Sequence, residues 1–233
     1  MNSSLNKYNF KEIKMKSEIN LLKNYPSTKR NLQEASVDRT DQVREVARKF
    51  DKEFFDGERK YGYGGYSYNP RFWTKVVKDF IDYYKLEDGS KILDVGCGKG
   101  FMMLDFLKAN KNLTVKGIDI SNYAIENSMD EVKNYVSVGN AKELKFQDNE
   151  FDLVISINTV HNLELNECTK ALQEMERVSK KNKYVILDAY KDDEEKERMF
   201  KWNLTAKTIL HKEDWKKLFD ECGYTGDYYW FNP

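Results

Sequence analysis

Apolar residues follow two different rhythms along this chain. From residue 91 onward, short apolar runs alternate with longer stretches whose apolar positions recur every three or four residues. The runs predict strands at 91–95, 113–118, 135–138, 151–157, 183–189, 204–210 and 226–231. The longer stretches predict helices at 100–109, 121–130, 165–178 and 212–222. Runs such as Leu153-Val154-Ile155 have no polar face, as expected of strands covered on both sides. Strands separated by helices need right-handed crossovers, which gives an α/β fold with a doubly wound, mostly parallel sheet. Ahead of this region, Val43, Val46, Ala47, Phe50 and Phe54 predict one helix over 38–55, capped by Asp38 or Thr40 and stopped at Asp56-Gly57. Phe72, Val76, Val77, Phe80 and Tyr84 predict another over 71–84.

Two stretches fit neither rhythm. Residues 1–37 read as a solvated or partly helical tail, or as a lid or dimer arm using Ile13, Ile19, Leu21, Leu22 and Tyr25. Between the two early helices, Tyr61, Tyr63, Tyr66 and Tyr68 alternate with glycines and small residues. A core would not choose this, because each phenol needs a hydrogen-bond partner and each glycine costs entropy. The stretch reads either as a loop wrapping the domain or as a flap over a ligand cleft. As a flap, its rings would border a cation and Arg59 would meet an anionic group. The expected division is an N-terminal extension with a Tyr/Gly-rich lid over 1–69 and an α/β domain over 70–233.

The chemistry concentrates at the first strand. Asp94 ends it, and Gly96, Cys97, Gly98 and Gly100 form a G-x-G-x-G turn into an apolar helix. Strand, glycine turn and helix make a nucleotide site in α/β folds. A carboxylate at this place repels a pyrophosphate and attracts a cation. Asp119, at the tip of the second strand, suits the hydroxyls of a ribose. A ligand with a ribose, a cationic part and no cradled phosphate matches S-adenosylmethionine better than a nicotinamide dinucleotide.

Four stretches in order carry a family resemblance: LDVGCGKG over 93–100, GIDIS over 117–121, Gly139-Asn140-Ala141, and FDLVISIN over 151–158. Together they resemble the class I, Rossmann-like S-adenosylmethionine-dependent methyltransferases over roughly residues 70–231. The resemblance implies a seven-stranded sheet whose final strand is antiparallel. It also implies roles for single residues. Asp94 would hold the methionine ammonium, with Gly96, Cys97, Gly98 and Gly100 shaping the turn. Asp119 would take the ribose hydroxyls, Ile120 one adenine face, and Asn140 and Ala141 the adenine edge. Asn158 would line the seam between cofactor and acceptor. His161, where the family often keeps acceptor-side residues, would take a proton from the acceptor or else pack structurally. His211 reads as a helix cap.

Composition narrows the acceptor. Basic and acidic residues balance at 39 each, which disfavours a large nucleic-acid substrate. Apolar runs stay short of a membrane span. Cys97, Cys168 and Cys222 are odd in number and scattered, as in a reduced, cytoplasmic protein. The expected activity is methylation of N or O on a small polar molecule: a sugar or sugar nucleotide, an amine or amino acid, or a secondary metabolite. An RNA or protein methyltransferase, or a non-catalytic cofactor-binding subunit, is the alternative. The aromatic run Tyr228 to Phe231 suits either a core strand or a homodimer edge.

Overall fold

The computed structural model describes residues 16–26 and 39–232. The expectations for 1–15 and 27–38, including Asp38 as a cap, lie outside these residues. The described residues form a seven-stranded sheet with the order β3-β2-β1-β4-β5-β6, and β7 also pairs with β5. Its strands are β1 (Lys91–Val95), β2 (Thr114–Asp119), β3 (Val136–Val138), β4 (Phe151–Ile157), β5 (Ser179–Tyr190), β6 (Leu210–His211) and β7 (Asp227–Phe231). The helices are α1 (Asp41–Ala47), α2 (Lys52–Asp56), α3 (Pro70–Tyr84), α4 (Phe101–Ala109), α5 (Asn122–Glu126), α6 (Leu165–Val178), α7 (Asp193–Trp202) and α8 (Lys212–Cys222).

Side chains alternate between the faces of the sheet and so build two cores. Leu93, Val95, Val154, Val185 and Leu187 meet α6 and α8 on one face. Ile92, Leu153, Ile155, Tyr184 and Ile186 meet α3 and α4 on the other. This period puts Asp94, Asp119 and Asp188, each at or near a strand's C-terminal end, on the α3/α4 face. One close approach on that face needs a glycine. A Cβ on Gly117 would lie 2.8 Å from Cys97 Sγ and closer still to Met103 Sδ. Gly117→Ala is therefore expected to cost about 1–3 kcal/mol, read as a lower midpoint in urea unfolding. An unchanged midpoint would mean that the β1 turn yields freely.

Three expectations need correction. First, β7 is parallel, not antiparallel: Tyr184 to Asp188 of β5 pair in register with Asp227 to Phe231. Helix α8 lies between β6 and β7, and a helical crossover returns the chain parallel where a hairpin would reverse it. Second, the strand expected at 204–210 shrinks to Leu210–His211, because Asn203 turns the chain by bonding Ala206 through both ends of its amide. Third, the helix expected over 38–55 is two helices. Thr40 caps α1 and Asp51 caps α2, with Phe50 between them in the left-handed region at φ 50°.

The described part of the N-terminal segment does more than solvate. Ile19 N–H donates to Tyr228 O at 2.9 Å and Tyr228 N–H to Ser17 O at 3.0 Å, which covers the open edge of β7. Leu21 is buried beneath Tyr184, and Tyr25 packs on Phe72 and Trp73. His211 caps α8, as its position predicted. Cys97, Cys168 and Cys222 are free and buried.

Candidate active site

Three of the turn glycines carry the backbone that β1 needs in order to enter α4. Gly96, Gly98 and Gly100 have φ of 89°, 55° and 77°, a region costly for side chains. Gly96 N–H and Cys97 N–H both donate to Ile118 O, at 2.8 and 2.9 Å, so the turn is stitched to β2. The Cys97 side chain points down into the core, where burial pushes its thiol well up. It shapes the turn from below and is not a nucleophile.

Two carboxylates flank the turn. Asp119 is engaged: Oδ2 accepts from Gly98 N–H at 2.8 Å and Oδ1 from Ser121 N–H at 2.9 Å. Burial still outweighs these bonds and raises its pKa. Asp94 is 5% exposed and accepts no hydrogen bond from any described residue. Burial first, and the Asp119 charge second, push it up to about 7. A buried carboxylate without donors is costly, and a cationic ligand relieves that cost. Ile120 presents an apolar surface that is 53% exposed, just past Asp119. Asn140 lies across from it, since Gly139 N–H donates to Asp119 O at 2.9 Å. The Ala141 side chain faces the core instead, so only its backbone is available to a ligand. These features fit S-adenosylmethionine: an acid for its ammonium, an acid for its ribose and an apolar ledge for its base.

The lid lies directly on this turn. A Cβ on Gly98 would sit 3.3 Å from Tyr66 Cε1 and 3.7 Å from Phe55 Cε1. Tyr66 stacks on Phe101 at 4.5 Å and packs against Tyr63, tilted, at 4.2 Å. One carboxylate latches the arrangement. Asp56 Oδ2 accepts from Lys99 Nζ at 2.5 Å and Tyr123 Oη at 2.7 Å, while Oδ1 accepts from Tyr66 N–H at 2.8 Å. Burial alone would raise Asp56; the bonds from Lys99, Tyr66 and Tyr123 prevail and hold it below the usual carboxylate range. The latch therefore stands at neutral pH and weakens only under acid. Lys99, between two turn glycines, ties Asp56 to the turn and also donates to Tyr66 O at 3.0 Å. Lys99→Met is expected to raise amide exchange at Tyr66 about tenfold or more, with the α6 core amides unchanged. Equal protection in both proteins would show that ring packing alone holds the lid.

The other lid residues are not gathered at the turn. Tyr68 Oη donates to Asp105 at 2.6 Å and anchors the lid to α4. Arg59 bonds Gly62 O within the lid, and Tyr61 lies under Lys60 Nζ. On the far side, α1 bridges to the segment after β5: Arg44 donates to Asn203 O and Phe200 O, and Arg48 to Thr205 O and Ala206 O.

Beyond β4, Asn158 is exposed and left-handed at φ 53°, a strained conformation that Asn tolerates. His161 is buried at 4% exposure, and its Nδ1 accepts from Asp188 N–H at 2.8 Å. A backbone N–H can only donate, so Nδ1 is bare and Nε2 holds the proton of the neutral ring. Burial lowers its pKa, and the Asp188 charge raises it less. In this tautomer the Nε2–H is a hydrogen-bond donor and the Nδ1 lone pair is already engaged. Asp188 was missed: in sequence it is one more residue of an apolar run, and only the strand register puts it beside His161.

Known proteins agree with this reading. The methyltransferase-domain family model matches residues 86–223, more than half of the chain. A tRNA (carboxymethyluridine(34)-5-O)-methyltransferase of Arabidopsis thaliana is 33% identical over 61% of this chain and 33% of its own length. A 24-methylenesterol C-methyltransferase of the same plant is 30% identical over 54% of this chain and 38% of its own length. The chain thus spans about a third of these relatives. A solved S-adenosylmethionine-dependent methyltransferase of Archaeoglobus fulgidus shares the fold at TM-score 0.50 and 22% identity, covering 66% of this chain and 70% of that one. No helix among the described residues is long and apolar enough to cross a membrane. Matched over most of its α/β region, with a buried free acid above a glycine turn on the middle strands, this chain belongs to the methyltransferase-domain family, the class I group that uses S-adenosylmethionine.

Proposed function

We propose that this chain methylates N or O of a small polar molecule. The observation carrying this reading is the lid, fixed at both ends: Asp56 holds it to the glycine turn, and Arg44 and Arg48 tie it to the segment after β5. A roof over the strand ends favours an acceptor that can be enclosed. The balance of 39 basic and 39 acidic residues supports a compact polar acceptor over a polyanion.

When bound, S-adenosylmethionine supplies a methyl group already activated on sulfur. The protein then needs mainly to align and to exclude water. Asp94 would hold the ammonium and Asp119 the ribose hydroxyls. Ile120 and Asn140 would bracket the adenine, and Asn158 would mark the boundary with the acceptor. The His161 Nε2–H would orient an acceptor lone pair. Tyr66 and Tyr63 would seal the cleft, and entry past Gly98 would require Asp56 to release.

The test is incubation with methyl-labelled S-adenosylmethionine and separate small-molecule, tRNA and protein fractions. Label in the small-molecule fraction is expected. Label confined to tRNA or protein would overturn the small acceptor. No label anywhere, with cofactor binding intact, would favour a non-catalytic subunit.

A further inference from the structure

The Asp188 carboxylate shares its two properties with Asp94. Its side chain is 5% exposed, and it accepts no hydrogen bond from any described residue. It also lies on the same face of the sheet, two strands away at the C-terminal end of β5. Its only ionic neighbour among the described residues is His161, with Nδ1 at 3.5 Å from Oδ1. That nitrogen is occupied by the Asp188 N–H, so no proton lies between ring and carboxylate. Among the described residues no lysine or arginine is paired with Asp188: Lys207 pairs with Glu164, while Arg198, Arg44 and Arg48 donate to neutral groups. The charge is thus left without a counter-ion among the described residues.

The walls match a cation as well. Phe231 is the register partner of Asp188 on β7, so both side chains stand on one face as neighbours. Trp202, from α7, packs on the Phe231 ring at 5.4 Å. A carboxylate with aromatic neighbours attracts an ammonium and repels phosphate or carboxylate. A hydroxyl could also donate to Asp188, but it would leave the buried charge uncompensated.

We propose that Asp188, with Phe231 and Trp202 beside it, forms an acceptor subsite for an organic ammonium group. The proposal rests on the small-molecule methyltransferase reading and narrows it to acceptors bearing an amine. Asp94 then takes the cofactor's ammonium and Asp188 the acceptor's, on either side of the seam at β4.

The test is calorimetric titration of the full chain, loaded with S-adenosylhomocysteine, with three cations: putrescine, phenethylamine and choline. Each is set against its uncharged counterpart: butane-1,4-diol, 2-phenylethanol and 3,3-dimethylbutan-1-ol. At least one cation is expected to bind about tenfold or more tightly than its counterpart. Asp188→Asn and Asp188→Ser are expected to erase that preference while S-adenosylhomocysteine affinity stays within about twofold, which also certifies their folding. Absence of any cation preference, or a preference that survives both substitutions, would overturn the subsite. Failure of the unsubstituted protein to bind S-adenosylhomocysteine would instead overturn the methyltransferase reading.

Discussion

Asp119→Ala is expected to weaken S-adenosylmethionine binding about 100-fold or more, since two charge-assisted bonds of about 1.5 kcal/mol each are lost. The carboxylate has two tasks. One lone pair on each oxygen is taken by the N–H groups of Gly98 and Ser121, which fixes the glycine turn against β2. The acceptor capacity that remains would serve the ribose hydroxyls. Alanine removes both tasks, so the turn loosens as the sugar loses its acceptors. Calorimetric titration reads the loss directly. Unchanged affinity would remove the ribose assignment and move the nucleoside away from the tip of β2.

The second large effect is a pH dependence of cofactor affinity set by Asp94. Burial pushes its pKa up to about 7 in the folded protein, from the 3.8 of an ordinary aspartate. Without ligand, the folded protein keeps a proton that the unfolded chain gives up across that window. Asp94 therefore contributes stability fully below pH 4, and loses that contribution as pH rises towards 7. Asp119 is raised too and acts with the same sign. A cationic ligand reverses the preference and favours the carboxylate. Affinity for S-adenosylmethionine is thus expected to rise by about tenfold per pH unit between roughly 5 and 7 and then flatten. Binding near pH 6 is expected to release close to one proton, seen by titration in buffers of different ionisation enthalpy. Asp94→Asn should bind weakly at every pH with no release. A flat affinity profile in the unsubstituted protein would show that the ammonium sits elsewhere.

Most of the α/β frame could be read from sequence because its signals are local. Apolar runs such as Phe151 to Ile157 and the turn from Gly96 to Gly100 depend on neighbours in the chain, and the structure keeps them where they were predicted. The misreadings share a different origin. Phe50 fits the helical period, yet the cap at Asp51 restarts the helix, and the pattern of apolar residues does not see caps. The parallel pairing of β7 joins Tyr184 to Asp227, and its cover by Ser17 and Ile19 joins residues about 210 positions apart, both beyond any sequence window. The site divides in the same way. Asp94 and Asp119 stood out because an acid at a strand tip is locally odd. Lys99 and Asp188 did not, since one acquires meaning only from Asp56 and the other only from β-strand register. The four tyrosines stood out as a group but not in their separate tasks, which the partners Asp105, Phe101 and Gly98 decide.

The most direct measurement is calorimetric titration of the protein with S-adenosylmethionine, S-adenosylhomocysteine and a nicotinamide dinucleotide. The structure predicts binding of the first two at a single site, with both lost in Asp119→Ala, and none of the third. Binding of the dinucleotide with neither sulfur ligand retained would contradict the account, because the turn above Asp94 would then serve a phosphate.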